Sequence, residues 1–133
     1  MGSAIAVFSG AQAIRVPRSR FAPVKTTDDL LAVRSDAYTL TDDFRIVPSG
    51  QRKMQRFNIR LDGRFYKYVS DLNDRFPHGA PSLVENKSLV VEGDFRFGKD
   101  VVCAGHVHLH NETDTQIDIP DGAVLSGTLH YPK

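Results

Sequence analysis

From Leu89 onward, apolar residues return every six positions. Leu89, Phe95, Val101, Val107, Ile119 and Leu125 hold the repeat, and only Thr113 breaks its apolar rule. Two residues after each of the first four stand Val91, Phe97, Cys103 and Leu109, and Gly93, Gly98, Gly105, Gly122 and Gly127 punctuate the turns. A six-residue period of short β segments is the signature of a parallel β-helix. Each hexad supplies one side of a coil, and each repeat position stacks on its equivalents above and below. At ~18 residues per coil, the stretch from Leu89 onward holds roughly two and a half coils. So short a stack buries little against itself, and its open end exposes backbone donors and apolar surface. It is expected to dock on the preceding residues, on another subunit, or on both.

Up to about Gly79 the periodicity is mixed. Residues 3–9 read as a short helix in need of a partner to cover Ile5 and Phe8, and Ala13–Val16 reads as a short strand ended by Pro17. Residues 17–24 form a Pro-bounded extended loop. Thr26 or Thr27 then offers an N-cap, Asp28 and Asp29 suit a first helical turn, and Leu30, Val33 and Ala37 share one face. That spacing predicts a helix over 28–38. Phe44–Val47 and Phe57–Leu61 read as strands, the second alternating Phe57, Ile59 and Leu61 against Asn58 and Arg60, with a polar loop between them. Phe65, Tyr68, Val69, Leu72 and Phe76 follow helical spacing up to a stop at Pro77-His78-Gly79.

The 133 residues are one domain's worth, 41% hydrophobic and 25% charged, so a packed core is expected and wholesale disorder is not. One cysteine excludes an intramolecular disulfide framework and fits a reducing compartment. No apolar run approaches the ~20 residues of a membrane span, and MGSAIAVFSGAQ lacks the basic region of a signal peptide. The formal charge of +1 argues against a general nucleic-acid binder. Charge is nevertheless uneven. Residues 1–27 carry Arg15, Arg18, Arg20 and Lys25 with no acid, which reads either as one solvated face or as an anion site near 15–27.

Lys25 directly precedes the expected helix N-terminus, where free N–H groups and the macrodipole favour anions, and Thr26 and Thr27 add hydroxyls. A lysine there meets a phosphate as a point charge. The alternative is an exposed loop lysine, or one paired with Asp28 or Asp29, which compete for the same helix end. Arg15, Arg18 and Arg20 either extend an anion surface or are ordinary surface charge; Arg20 is the nearest to Lys25. His106, His108 and His110 alternate in GHVHLH and share one strand face at spacings of roughly 6–7 Å. Val107 and Leu109 are the inward positions, so the histidines point outward. Without a carboxylate expected beside them, they read as solvated, with adventitious nickel affinity, rather than as a metal site. Cys103 is an inward, inert thiol. The acids of 112–121 read as loop solvation.

FAPVKTTDDLLAVRSDAY (Phe21–Tyr38), with its FxPVKTTxDLL run and S-D-x-Y ending, resembles the C-terminal portion of the UTP–glucose-1-phosphate uridylyltransferase (UDP-glucose pyrophosphorylase) family. The likeness continues through RFPHGAPSL (Arg75–Leu83), LVVEGDFRFGKDV (Leu89–Val101) and IDIPDGAVL (Ile117–Leu125). It implies an α/β segment, a remnant of a nucleotidyltransferase catalytic domain, over residues 1–80. A short left-handed parallel β-helix follows over 81–133. The family's enzymes are several times longer, and their glycine-rich nucleotide loop of the G-G-x-G-T type has no counterpart here.

The resemblance implies a parent reaction in which UTP and glucose 1-phosphate give UDP-glucose and pyrophosphate, in the cytoplasm, with Mg²⁺ whose ligands are not identifiable here. It implies that Lys25 is the catalytic, phosphate-contacting residue, with Thr26 and Arg20 as further phosphate-binding candidates. No general base is required, because the attacking phosphate oxygen is already anionic. The isolated chain is expected to be inactive without the N-terminal catalytic portion as partner. The competing expectation is a non-catalytic oligomerisation module that stacks through the β-helix. A hexapeptide-repeat acyltransferase is disfavoured by the small number of coils. Neither nucleic acid nor membrane is expected as a partner.

Overall fold

The computed structural model describes residues 6–17, 23–52 and 58–133. The element order is α1 (Thr27–Arg34), β1 (Tyr38–Leu40), β2 (Ile46–Pro48), β3 (Asn58–Leu61), α2 (Val69–Arg75), β4 (Asn86–Glu92), β5 (Phe95–Phe97), β6 (Val102–Asn111), β7 (Ile117–Ile119) and β8 (Val124–Tyr131). β1 and β2 form an antiparallel hairpin. All the other ladders are parallel: β3-β4-β6-β8 in one sheet and β5-β7 in another. A bridge from Ser82 to Val102, continued by Val102 with Val124, adds a third parallel run.

The hexad rule places the interior correctly. Leu89, Val91, Phe95, Phe97, Val101, Cys103, Val107, Leu109, Ile119 and Leu125 are all buried. Stacking between the first two coils follows the expected offset, with Leu89 opposite Val107 and Val91 opposite Leu109. The next coil departs from it. Phe95 faces Ile117, Phe97 faces Ile119 and Cys103 faces Leu125, each four residues beyond the simple repeat. The cause lies at the corner after β6. Buried Asn111 replaces the apolar rung there: its amide donates to the carbonyls of Asp94 (2.9 Å) and Thr115 (2.8 Å), and its Oδ1 accepts from the Thr113 N–H (2.8 Å). Thr113 is therefore a corner residue, and Ile117 takes its place in the stack. Gly93 turns the preceding corner at φ +95°, and a Cβ there would meet the Asn111 carbonyl oxygen at 2.5 Å. Only glycine fits.

The sides of this stack are covered from the first half of the chain, and the buried residues from Leu31 to Leu125 form one cluster. The Tyr66 hydroxyl donates to the Phe95 carbonyl (2.9 Å) and accepts from the Phe95 N–H (3.2 Å). The Phe76 ring stacks on Phe97, centroids 4.5 Å apart. Arg75 grips Asp94 through two bonds of 2.8 and 3.1 Å. Asp62 accepts from the Gly93 N–H at 2.9 Å, and Asp36 accepts from the Leu83 N–H at 2.7 Å. β3 itself joins the edge of β4.

Several local expectations need correction. α1 ends at Arg34, four residues early, because the Ser35 hydroxyl donates to the Ala32 carbonyl and the chain turns extended. Its buried side chain is Leu31, while Ala37 is buried beyond the helix. Phe44 is exposed at φ +59° in the hairpin turn, so the second strand starts at Ile46. α2 starts at Val69, where Asp71 accepts the Tyr68 N–H at 2.9 Å. Residues 62–68 are a turn, which buries Tyr66 and leaves Tyr68 and Val69 exposed. Ala13–Val16 is not a strand but exposed coil, and residues 6–10 make a turn where a helix was expected. Residues 3–5, 18–22 and 53–57, including Ile5, Arg18, Arg20 and Phe57, lie outside the described residues.

Phe97→Ala removes a ring packed between Phe76 and the Ile119 rung, and is expected to cost about 3–5 kcal/mol by chemical denaturation; a loss under 1 kcal/mol would contradict this packing. The Asp62 carboxyl is held down to about 2, chiefly by its hydrogen bonds with the Arg64 side chain. Its folded value lies below its unfolded one, so its contribution is present above pH ~4 and is lost as pH falls toward 2. Asp62→Asn should cost about 1–2 kcal/mol at pH 7, with the gap to the parent protein closing between pH 4 and 2.

Candidate functional site

Lys25 stands at the entry to α1, exposed, one residue before the N-cap. The Thr26 hydroxyl accepts the Asp29 N–H at 3.3 Å. In return, the Asp29 carboxylate accepts the backbone N–H groups of Lys25 (2.9 Å) and Thr26 (3.1 Å). These backbone bonds, led by the one from Lys25, hold the Asp29 carboxyl below its ordinary value. The capping box thus takes up part of the helix end. An anion arriving here meets the ammonium of Lys25 and a carboxylate, Asp29, already seated on the N–H groups of Lys25 and Thr26. Among the described residues, that ammonium forms no ion pair.

α1 is fixed to the rest of the molecule at this same end. Thr27 donates its hydroxyl to the Tyr66 carbonyl at 2.6 Å, and Asp28 accepts the Leu61 N–H at 3.1 Å. Burial pushes the Asp28 carboxyl up, against the lowering effect of that bond. Lys25 is therefore mounted on a helix anchored to β3 and, through Tyr66, to the stacked strands. Arg15 is exposed in coil, and Arg20 lies outside the described residues. Lys25 and Thr26 are brought together as sequence neighbours; nothing described adds a third phosphate ligand.

Mg²⁺ does not fit these residues. It prefers an octahedral set of oxygens. Of the two carboxylates beside Lys25, Asp28 Oδ1 is taken up by the Leu61 N–H and Asp29 Oδ2 by those of Lys25 and Thr26, which leaves one oxygen on each, far short of an octahedral set.

The histidines of β6 face outward, as the hexad pattern requires. The expectation that no carboxylate attends them fails. Glu92 of β4 meets the His108 Nε2 at 3.0 Å and Arg60 of β3 at 2.9 Å. Glu112 approaches the Nε2 atoms of His110 (3.7 Å) and His130 (3.2 Å). His106 instead pairs with the Ser88 hydroxyl at 2.8 Å. His130 lies twenty residues from His110 and only the strand register brings them together, so spacing within GHVHLH gave no sign of it. Cys103 is buried, its thiol pushed up to about 12 by desolvation, in keeping with an inert packing role.

Comparison with known proteins bears on the whole chain. The family model described as UTP–glucose-1-phosphate uridylyltransferase matches residues 1–104. The barley (Hordeum vulgare) protein of that name is 46% identical over 93% of this chain, which covers 26% of the barley sequence. The Saccharomyces cerevisiae protein is 41% identical over 96% of this chain, covering 25% of its own length. Among solved structures, a point mutant of Leishmania major UDP-glucose pyrophosphorylase in complex with UDP-glucose superposes with a TM-score of 0.79 at 47% identity. That likeness covers 98% of this chain and 28% of the other. A Trypanosoma brucei UDP-glucose phosphorylase gives a TM-score of 0.79 at 42% identity, over 98% and 29%. The chain spans about a quarter of the length of these relatives. It belongs to the UTP–glucose-1-phosphate uridylyltransferase family.

Proposed function

We propose that this chain is the C-terminal segment of a UTP–glucose-1-phosphate uridylyltransferase, and that Lys25 is its contribution to the chemistry. The 46% identity to the barley enzyme across 93% of the chain carries this reading. In the parent reaction, an oxygen of glucose 1-phosphate attacks the α-phosphorus of UTP, and pyrophosphate leaves. Negative charge crowds the reacting phosphates, and a fixed ammonium there stabilises the transition state without itself moving a proton. Lys25, exposed, without an ion pair among the described residues and at the entry to an anchored helix, suits that task. Thr26 and Arg20 are its proposed companions on the phosphates. No step is assigned to Mg²⁺ on these residues; its ligands are proposed to come from the nucleotide and from the rest of the enzyme.

Residues 1–80 are read as the end of the catalytic α/β domain and residues 81–133 as a left-handed β-helix. The stacked parallel runs of β4 to β8 support the second unit, to whose sheet β3 of the first adds an edge strand. A cytoplasmic setting agrees with the free cysteine, and no described helix is long and apolar enough to cross a membrane. The second reading, a non-catalytic module for self-association, draws on β8. This eight-residue strand is an edge of its sheet among the described residues, and such edges are templates for pairing.

The isolated chain should form no UDP-glucose from UTP and glucose 1-phosphate in a coupled assay; turnover would overturn its reading as an incomplete enzyme. Titration with UDP-glucose should shift the backbone amides of Lys25 and Thr26 by NMR, and Lys25→Ala should abolish the shift. A titration that leaves both amides unmoved would remove Lys25 from the phosphate site. Light scattering addresses the second reading: a monomer at all concentrations would refute it.

A further inference from the structure

His110, Glu112 and His130 form a cluster that the uridylyl-transfer reading does not use. We infer that they are a binding site for a borderline divalent cation, Zn²⁺ foremost, on the outer face of the β6–β8 ladder.

The backbone builds the cluster. His110 and His130 are directly opposed in the parallel register of β6 and β8. Their rings stack with centroids 4.8 Å apart and planes 20° from parallel; because an imidazole lone pair lies in its ring plane, a shared ion is reached when the rings turn out of this stack about their side-chain torsions. Glu112 lies two residues beyond His110. Its own N–H donates to the Tyr131 carbonyl at 3.0 Å, which pins it to β8 beside His130. Between His110 and Glu112, Asn111 is buried and locked by its bonds to the carbonyls of Asp94 and Thr115. The corner that aims Glu112 is therefore held on both sides.

The distances suit one shared ion. Ligands ~2.0–2.1 Å from a tetrahedral Zn²⁺ lie ~3.3–3.4 Å from one another. Here Glu112 Oε1 is 3.2 Å from His130 Nε2 and 3.7 Å from His110 Nε2. One ligand atom from each of the three residues lies within 4.8 Å of the others. All three side chains are partly exposed, which leaves the rings free to turn and close the longest edge. Two imidazoles and a carboxylate select Zn²⁺, Cu²⁺ or Ni²⁺ over Mg²⁺ and Ca²⁺. Three protein ligands leave a fourth position for water. A surface cavity of about 470 Å³ opens beside His110 and Glu112, with room for it.

Zn²⁺ titrated into the whole chain by calorimetry should bind at one-to-one stoichiometry and raise the melting temperature. His130→Ala and Glu112→Gln should each weaken binding at least about tenfold, a range seen even for residues that only support metal ligands. His108→Ala, which removes a neighbour outside the cluster, should change affinity less than about twofold. Retained affinity in either His130→Ala or Glu112→Gln overturns the assignment. So does loss in His108→Ala with retention in His130→Ala, the pattern of a simple ladder along β6. Should His130→Ala fold poorly by circular dichroism, Glu112→Gln alone decides the question, since its side chain is isosteric and exposed.

Discussion

One buried hydroxyl ties the first half of this molecule to the corner between β4 and β5. Tyr66 both donates to and accepts from the backbone of Phe95, at 2.9 and 3.2 Å, in a fully buried setting. Phe95 is an inward rung at the start of β5, where the chain has just turned a corner and its peptide groups have no strand on one side. A buried peptide group left unpaired costs about 1–3 kcal/mol, and Tyr66 satisfies both groups at once. Its ring meanwhile packs toward Phe76, which stacks on Phe97. So short a stack of parallel strands does not cover its own flanks. The turn at 62–68 and α2 do so, and Asp62, Tyr66 and Arg75 fasten that cover to the corner between β4 and β5.

The interior was legible in the sequence because it is periodic, and a period needs only one strand's geometry to be read. Leu89 through Leu109 fell where the hexads put them. The register of the last coil was not legible. Thr113 announced a break, but a broken repeat does not reveal whether one residue is substituted or four are inserted. That answer depends on Asn111, whose hydrogen bonds are made with residues on either side of the corner. The first half was harder for the related reason that its helices are short. In eight residues of α1, a three-residue stripe is weak evidence: Leu31, not Leu30 or Val33, is the buried position. Tyr66 was passed over in favour of Tyr68 because helical phase was extended back through a turn.

The same contrast separates the two candidate sites. Lys25 and its cap are local: residues 25–29 contain every group of the capping box, and the spacing of Thr26 and Asp29 announces it. What the spacing does not disclose is that Asp29 also takes up the backbone N–H of Lys25. The anion site suggested by a bare helix end thereby shares that end with a carboxylate. The histidine cluster is non-local. His110 and His130 come from two strands, and Glu112 follows the first; the alignment combines the four-residue insertion at the corner with a two-residue shift back between Cys103 and Val107. With an uninterrupted 18-residue repeat, His110 would face Thr128, two positions short of His130.

That shift has a chemical consequence beyond packing. Inward positions of a stacked coil are fixed by volume, since each rung must fill the space between its neighbours. Outward positions carry no such demand, yet the ladder still holds them in columns at the strand spacing of about 4.8 Å. A corner that slides one coil against the next therefore exchanges the members of every outward column while leaving the apolar interior filled. Here the exchange sets an imidazole against an imidazole, and the same corner delivers a carboxylate to both. A surface read from sequence as solvated histidines acquires its chemistry from the register that the corner at Asn111 and the shift between Cys103 and Val107 set together.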